Sequence, residues 1–186
     1  METTYSLAFM PNTAIIEKVK SMKLDLANKI GWFHSKNALA HITITEFTID
    51  DSAWVDLEKR VSSTVATFSP FNVKLNAFDY YPNGAFYIAP DSESIKVLMT
   101  TMKSLTVSLP IKKQHKSNAP HLSIARKLTP EQLQIAIDMF TSINEAFYCD
   151  AIFLRRFNPE IKQFDVVKSF PFRNEFPSTG VQTSLF

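Results

Sequence analysis

A chain of 186 residues, 45% of them hydrophobic and 20% charged, can bury a full core and is too apolar to be disordered. Its three glycines, Gly31, Gly84 and Gly180, cannot supply a GxGxxG turn or a Walker loop, and its single cysteine, Cys149, excludes an intrachain disulfide framework and a Cys-rich zinc site. A formal net charge of +2 permits an anionic ligand but is too small to argue for a nucleic-acid coat.

The N-terminal Met1-Glu2-Thr3-Thr4-Tyr5 is acidic where a secretion signal needs positive charge, and no stretch of 18 apolar residues occurs. The expectation is therefore a soluble cytoplasmic protein that makes no membrane contact. Tyr5 to Met10 alternates as a strand. Pro11-Asn12-Thr13 then starts a helix in which Ile15, Ile16, Val19, Met22, Leu26 and Ile30 share a face, ended by Gly31. Leu39 to Phe47 reads as a strand. Asp50, Asp51 or Ser52 caps a helix striped by Trp54, Leu57, Val61, Val65 and Phe68. Phe71 to Phe78 alternates again, and Tyr81-Pro82-Asn83-Gly84-Ala85 is a hairpin turn.

The order then repeats. Ala85 to Ala89 is a strand, Asp91 or Ser92 caps a helix carrying Ile95, Leu98, Met99, Met102 and Leu105, and His121 to Lys127 is a strand. Thr129-Pro130-Glu131-Gln132 has the pattern of a capping box, opening a helix along Leu133, Ile137, Phe140 and Phe147. Two last strands are expected at Tyr148 to Arg156 and Ile161 to Phe170. Tyr5 and Ala85, Asn12 and Ser92, and His41 and His121 are each 80 residues apart. The constant offset predicts an α+β fold: a duplicated β-α-β-α-β unit forming two lobes, approximately 5–80 and 85–170. Two open sheets would face a central cleft with helices outside, in one domain over 1–186, and 171–186 would be a C-terminal tail.

His41-Ile42-Thr43-Ile44 and His121-Leu122-Ser123-Ile124 stand at equivalent places in the repeat. On a strand, residues i and i+2 share a face. Each motif therefore presents one imidazole and one hydroxyl on one side and two apolar residues on the other. Of two imidazoles, one can act as base while the other acts as acid, and hydroxyls suit phosphoryl oxygens. That set fits in-line displacement at phosphorus. Neither motif contains a carboxylate or a thiol, so no metal and no cofactor are expected. His34 and His115 lack such a context and read as surface loop residues. Tyr80, Tyr81, Phe86 and Tyr87 flank the hairpin turn and suit either core packing or base stacking. Lys112, Lys113 and Lys116 read as a solvated basic loop that could meet a phosphate. Arg155-Arg156 on one strand places one guanidinium on each face.

The twin motifs, with the run Pro120-His121-Leu-Ser-Ile-Ala-Arg126, resemble the signature of the 2H phosphoesterase superfamily, and Ile-Ala-Arg is similar to its branch of 2'-5' RNA ligases and RNA 2',3'-cyclic phosphodiesterases. The resemblance implies metal-independent hydrolysis of a 2',3'-cyclic phosphate or related phosphodiester on an RNA terminus or small nucleotide, by a monomer. It also implies that His41 and His121 are catalytic and that Thr43, Ser123 and Arg126 contact phosphate. It gives His121 the role of base and His41 that of acid. Strict alternation puts Arg126 on the wrong face, so it needs a bulge or strand end to reach the cleft. Glu46 stands where relatives often carry a basic residue. Reversible 2'-5' RNA ligation and a non-catalytic nucleotide- or RNA-binding module are the alternatives.

Overall fold

The computed structural model describes residues 2–111 and 114–175. In chain order they form β1 (Glu2–Phe9), α1 (Thr13–Ile30), β2 (Ile42–Asp50), a 3-10 turn (Asp51–Ala53), α2 (Trp54–Ala66), β3 (Phe71–Tyr81), β4 (Ala85–Pro90), α3 (Ser92–Ser108), β5 (Gln114–Lys116), β6 (Leu122–Ala125), α4 (Pro130–Met139), β7 (Glu145–Cys149), β8 (Ala151–Asn158) and β9 (Gln163–Pro171). Local chemistry sets most helix starts. The Asn12 carboxamide accepts the Ile15 N–H at 3.1 Å, Asp91 accepts that of Ser94 at 2.8 Å, and Thr129 with Gln132 forms the reciprocal capping box behind Pro130. Gly31, at φ 79°, ends α1. The second helix differs from expectation: Asp50 accepts from the Ser52 N–H and hydroxyl, so it caps the 3-10 turn, and α2 itself has no side-chain cap.

The strands form one sheet in the order β7-β3-β4-β6-β2-β1-β8-β9, every pairing antiparallel, with β5 added to β2. This corrects the expected two separate sheets. The sheet has two four-stranded halves, β2-β1-β8-β9 and β6-β4-β3-β7, joined by the pairing of Ile42 with Leu122. The halves also exchange strands. The turn at Pro82-Asn83-Gly84 is so tight that β3 must pair with β4 of the following unit, and β8 returns to pair with β1. Gly84 has φ 78°, and a Cβ there would meet the Leu128 carbonyl oxygen at 2.2 Å, so this turn requires glycine.

Two further expectations are corrected. The fourth helix ends at Met139, and Phe147 is a buried residue of β7. The intervening Thr141-Ser142-Ile143-Asn144 has no strong helix former. The single strand expected over Tyr148 to Arg156 is divided at Asp150, because its first part pairs with β3 and its second with β1 and β9. Helices α1 and α4 pack together behind β6 and β4, and α2 and α3 together behind β9, β3 and β2. The tail docks as far as it is described: the Phe172 N–H donates to Asp150, and those of Arg173 and Glu175 to Ala66. The rest of the expected tail, 176–186, lies outside the described residues. Among those described, no helix is long and apolar enough to cross a membrane.

Candidate active site

The two motifs meet at the seam of the sheet. Ile42 lies opposite Leu122, so antiparallel register sets His41 across from Ser123 and Thr43 across from His121. Ile42, Ile44, Leu122 and Ile124 are fully buried in the core, whereas the histidines and hydroxyls are half-buried and line a cavity of about 630 Å³. Beyond Ile42 the strands part. β5 pairs with β2 over Thr45, Glu46 and Phe47, and the Thr45 hydroxyl donates to the His115 carbonyl at 2.8 Å. This short strand was not foreseen, and it corrects the reading of His115 as a loop residue: His115 is exposed but lines the cavity.

A matched pair of bulges shapes the floor. Ala8 pairs with Thr43 and Leu7 with Thr45, leaving Ile44 extra; Tyr87 pairs with Ser123 and Phe86 with Ala125, leaving Ile124 extra. An extra residue resets the alternation. The next side chain on the cleft face therefore comes three residues after each hydroxyl, at Glu46 and at Arg126, and both line the cavity. The bulge that Arg126 required is present. Its backbone N–H is held by the His34 carbonyl at 3.1 Å, and the Ser35 hydroxyl donates to the Ile124 carbonyl at 3.1 Å. The loop that precedes the first motif thus braces the second.

Both imidazoles are oriented by one device. Nδ1 of His41 lies 2.6 Å from the Leu39 carbonyl and Nδ1 of His121 lies 2.8 Å from that of Ala119. A carbonyl only accepts, so each Nδ1 carries the proton and each neutral ring keeps a lone pair on Nε2. Burial depresses both pKa values. His41 falls to about 3, with Arg155, Lys23 and Arg126 adding to the desolvation; His121 is also lowered, with Arg126 as its cationic neighbour. Both shifts favour the neutral imidazoles at pH 7, and nearby negative charge is what would let one of them keep a second proton.

Cations dominate the lining: Lys23, Lys116, Arg126, Arg155 and Lys162 against the carboxylate of Glu46. Lys23 is 2% exposed, and its ammonium donates to the Ser35 and Ala38 carbonyls at 3.0 and 2.7 Å, which pins the loop carrying His41. Its own pKa is lowered to about 8 by burial and by Arg126 and Arg155. Sequence reasoning missed it, although Lys23 interrupts the apolar stripe of α1 between Val19 and Leu26, a visible signal. Of the Arg155-Arg156 pair, Arg155 lines the cavity and Arg156 is exposed. Lys112 and Lys113 lie outside the described residues.

Among the four aromatics proposed for stacking, Phe86 is 1% exposed and belongs to the core, and Tyr80 is exposed. Tyr81 lines the cavity, and the rings of Tyr81 and Tyr87 flank His121 at 5.7 and 4.9 Å. On the far side Phe157 and Phe164 line the cavity from β8 and β9. No group of three or more metal-ligating His, Cys, Asp or Glu side chains occurs among the described residues.

The family described as "2'-5' RNA ligase superfamily" matches residues 13–159. No curated protein matches the chain in sequence. Similar solved structures include TT0787 of Thermus thermophilus, at TM-score 0.66 and 15% identity, covering 93% of this chain and 100% of that one. Escherichia coli LigT complexed with 3'-AMP is similar at TM-score 0.65 and 9% identity, covering 92% and 99%. Usb1 of Kluyveromyces marxianus is similar at 0.59 and 10%, covering 91% and 98%. At these identities the structures speak for the fold, and the family match speaks for descent. The chain belongs to the 2'-5' RNA ligase superfamily, a group of 2H phosphoesterases.

Proposed function

We propose that this member of the 2'-5' RNA ligase superfamily is a metal-independent phosphodiesterase that opens a 2',3'-cyclic phosphate, or a related phosphodiester, on an RNA end or a nucleotide. The observation that carries the reading is the pair of imidazoles with Nδ1 tied to backbone carbonyls, facing one cationic cavity with Thr43 and Ser123 beside them. One Nε2 removes a proton from water as its oxygen bonds to phosphorus. The other imidazole gives its proton to the departing ribose oxygen as the P–O bond breaks. We assign His121 as base and His41 as acid, so departure of O3' leaves a 2'-phosphate. Thr43, Ser123 and Arg126 hold the phosphoryl oxygens. The substrate's anion supplies the negative charge that lets one ring stay protonated, offsetting Arg155, Lys23 and Arg126. Solved LigT and Usb1 structures contain 3'-AMP and uridine monophosphate respectively, which supports a nucleotide ligand here.

The test is a screen of 2',3'-cyclic nucleotides and cyclic-phosphate-ended oligonucleotides with the products resolved. Hydrolysis that disappears in both His41→Ala and His121→Ala supports the proposal. Joining to a 5'-hydroxyl in place of water would identify ligation, the microscopic reverse. Tight nucleotide binding with no turnover would identify a binding module.

A further inference from the structure

The reacting phosphate, as placed above, engages the seam between the halves, yet the cavity reaches Arg155 and Phe157 on β8. Ser6 pairs with Glu46 on one side and with Arg155 on the other. Three polar residues therefore stand in a row on β2, β1 and β8, spanning two inter-strand steps, about 10 Å. Two of the row have no partner where one is costly. Nη1 of Arg155 and Oγ of Ser6 are buried without a hydrogen bond, in residues that are 4% and 0% exposed. The guanidinium is held in place by stacking, its Cζ 5.0 Å from the centre of the Phe164 ring. It lines the cavity beside Lys23, whose ammonium has used two of its three donors on loop carbonyls. Arg126 and Arg155 both press on the Lys23 ammonium, and at Arg155 itself the Glu46 carboxylate outweighs Arg126, leaving five cationic side chains in the lining against one carboxylate. Such a buried cationic set is built for an anion, and the histidine pair accounts for only one.

We propose that Arg155 forms a second phosphate subsite, so that the favoured substrate is a nucleoside cyclic phosphate carrying another phosphoryl group. This rests on the phosphodiesterase reading and sharpens its substrate class. The planar guanidinium offers paired donors to phosphoryl oxygens, which the compact ammonium of Lys23 cannot. Two sources share this chemistry: the 5'-phosphate of a free nucleotide and the internucleotide phosphate one step back along an RNA chain.

Calorimetric titration with adenosine 2'-monophosphate, adenosine 2',5'-bisphosphate and the dinucleotide ApA ending in a 2'-phosphate tests it. The wild-type protein should bind at least one doubly phosphorylated probe about 10-fold or more tighter than the monophosphate, the scale of a hydrogen bond to a charged group. Preference shared by the dinucleotide assigns the subsite to an RNA backbone; preference confined to the bisphosphate assigns it to a free 5'-phosphate. Arg155→Met should bring the ratio near one, and Arg155→Lys should leave it intermediate. Should the buried methionine prevent folding, Arg155→Lys alone serves, and a ratio undiminished in it overturns the subsite. A wild-type ratio near one, with cyclic-nucleotide turnover intact, overturns the subsite alone. Failure of every probe to bind, together with no turnover, overturns the phosphodiesterase reading as well.

Discussion

Glu46 and Arg126 occupy the same place in the two halves of the sheet. Each follows a His-x-Thr/Ser strand, each comes after a one-residue bulge at Ile44 or Ile124, and each is turned by that bulge into the cavity. The backbone device is duplicated while the charge is reversed. The surroundings of the histidines diverge as well. His41 sits near Lys23, Arg155 and Arg126, whereas His121 is flanked by the rings of Tyr81 and Tyr87. Duplication supplies two equivalent imidazoles, and the acid–base reading proposed above needs them unequal. The cations nearest His41 favour its neutral form, so the proposed role of His41 as the acid requires the substrate's anion to outweigh them.

The sharpest way to break this comparison is to remove one histidine at a time. On a 2',3'-cyclic nucleotide, His41→Ala and His121→Ala should each lower kcat by about 10²–10⁴-fold, the usual worth of a positioned acid or base. A phosphodiester with a p-nitrophenolate leaving group needs no proton on departure. On it His41→Ala should retain far more of its rate than His121→Ala. The reverse order would exchange the roles, and equal losses would mean that both rings act by holding the phosphate.

The equivalent residues beyond the bulges should respond in opposite directions. Arg126→Ala should weaken binding of a nucleotide phosphate by about 10–100-fold, the range for hydrogen bonds to a charged partner. Thr43→Val and Ser123→Ala should each lower kcat/KM within the same range. Glu46→Gln removes the cavity's opposing charge and should tighten phosphate binding by about three- to tenfold. If Glu46→Gln weakens binding instead, Glu46 contacts the ligand as an acceptor and the two halves hold different parts of it.

The electrostatic asymmetry should be visible in stability. His41 has an ordinary pKa of 6.5 and a folded-state value near 3, so between these the unfolded chain binds a proton that the folded one does not. Stability contributed by the neutral ring is complete above pH 6.5 and is lost as pH falls, at up to about 1.4 kcal/mol per unit. Urea unfolding from pH 7 to pH 4 should show His41→Gln losing less stability than the wild type, with His121→Gln changing the slope less. Saturating nucleotide phosphate should flatten the wild-type slope, because its anion raises both rings. Identical slopes in all three proteins would mean that the charges around His41 are compensated in the folded state.

Much of this site was legible in the sequence because strand alternation is local. The pairing of His41 with Thr43 and of His121 with Ser123 follows from a two-residue period, and the 80-residue offset between motifs holds in the sheet register. The first strands are offset by 79 residues, since Phe9 takes the place of Ile88. What escaped was non-local. Exchange of β3 and β8 between the halves depends on a tight turn at Gly84 and a break at Asp150, and β5 is three residues long. Ser6 reads as an ordinary strand residue until β1 is seen between Glu46 and Arg155. The bulge before Arg126 was legible only as a requirement and the one before Glu46 not at all, since a chemically ordinary isoleucine occupies each.

The smallest effect expected is none at all, from chelation. Two imidazoles on opposed strands, each with Nδ1 on a carbonyl and Nε2 free, have the form of a ligand pair for a divalent ion, but the carboxylate in the lining, Glu46, faces a cavity carrying five cationic side chains. A hard or borderline cation wants three or more ligands of opposite or neutral charge, and here it would meet ammonium and guanidinium groups instead. In the proposed reaction the arginines and hydroxyls would offer what a metal contributes to phosphoryl transfer, namely positive charge and fixed donors at the oxygens. Turnover of a cyclic nucleotide should therefore be unchanged after dialysis against EDTA and on addition of Mg²⁺, Mn²⁺ or Zn²⁺ at stoichiometric level. Loss of the rate on chelation, restored by one of these ions and abolished in His41→Ala, would move the two histidines from proton transfer to metal ligation.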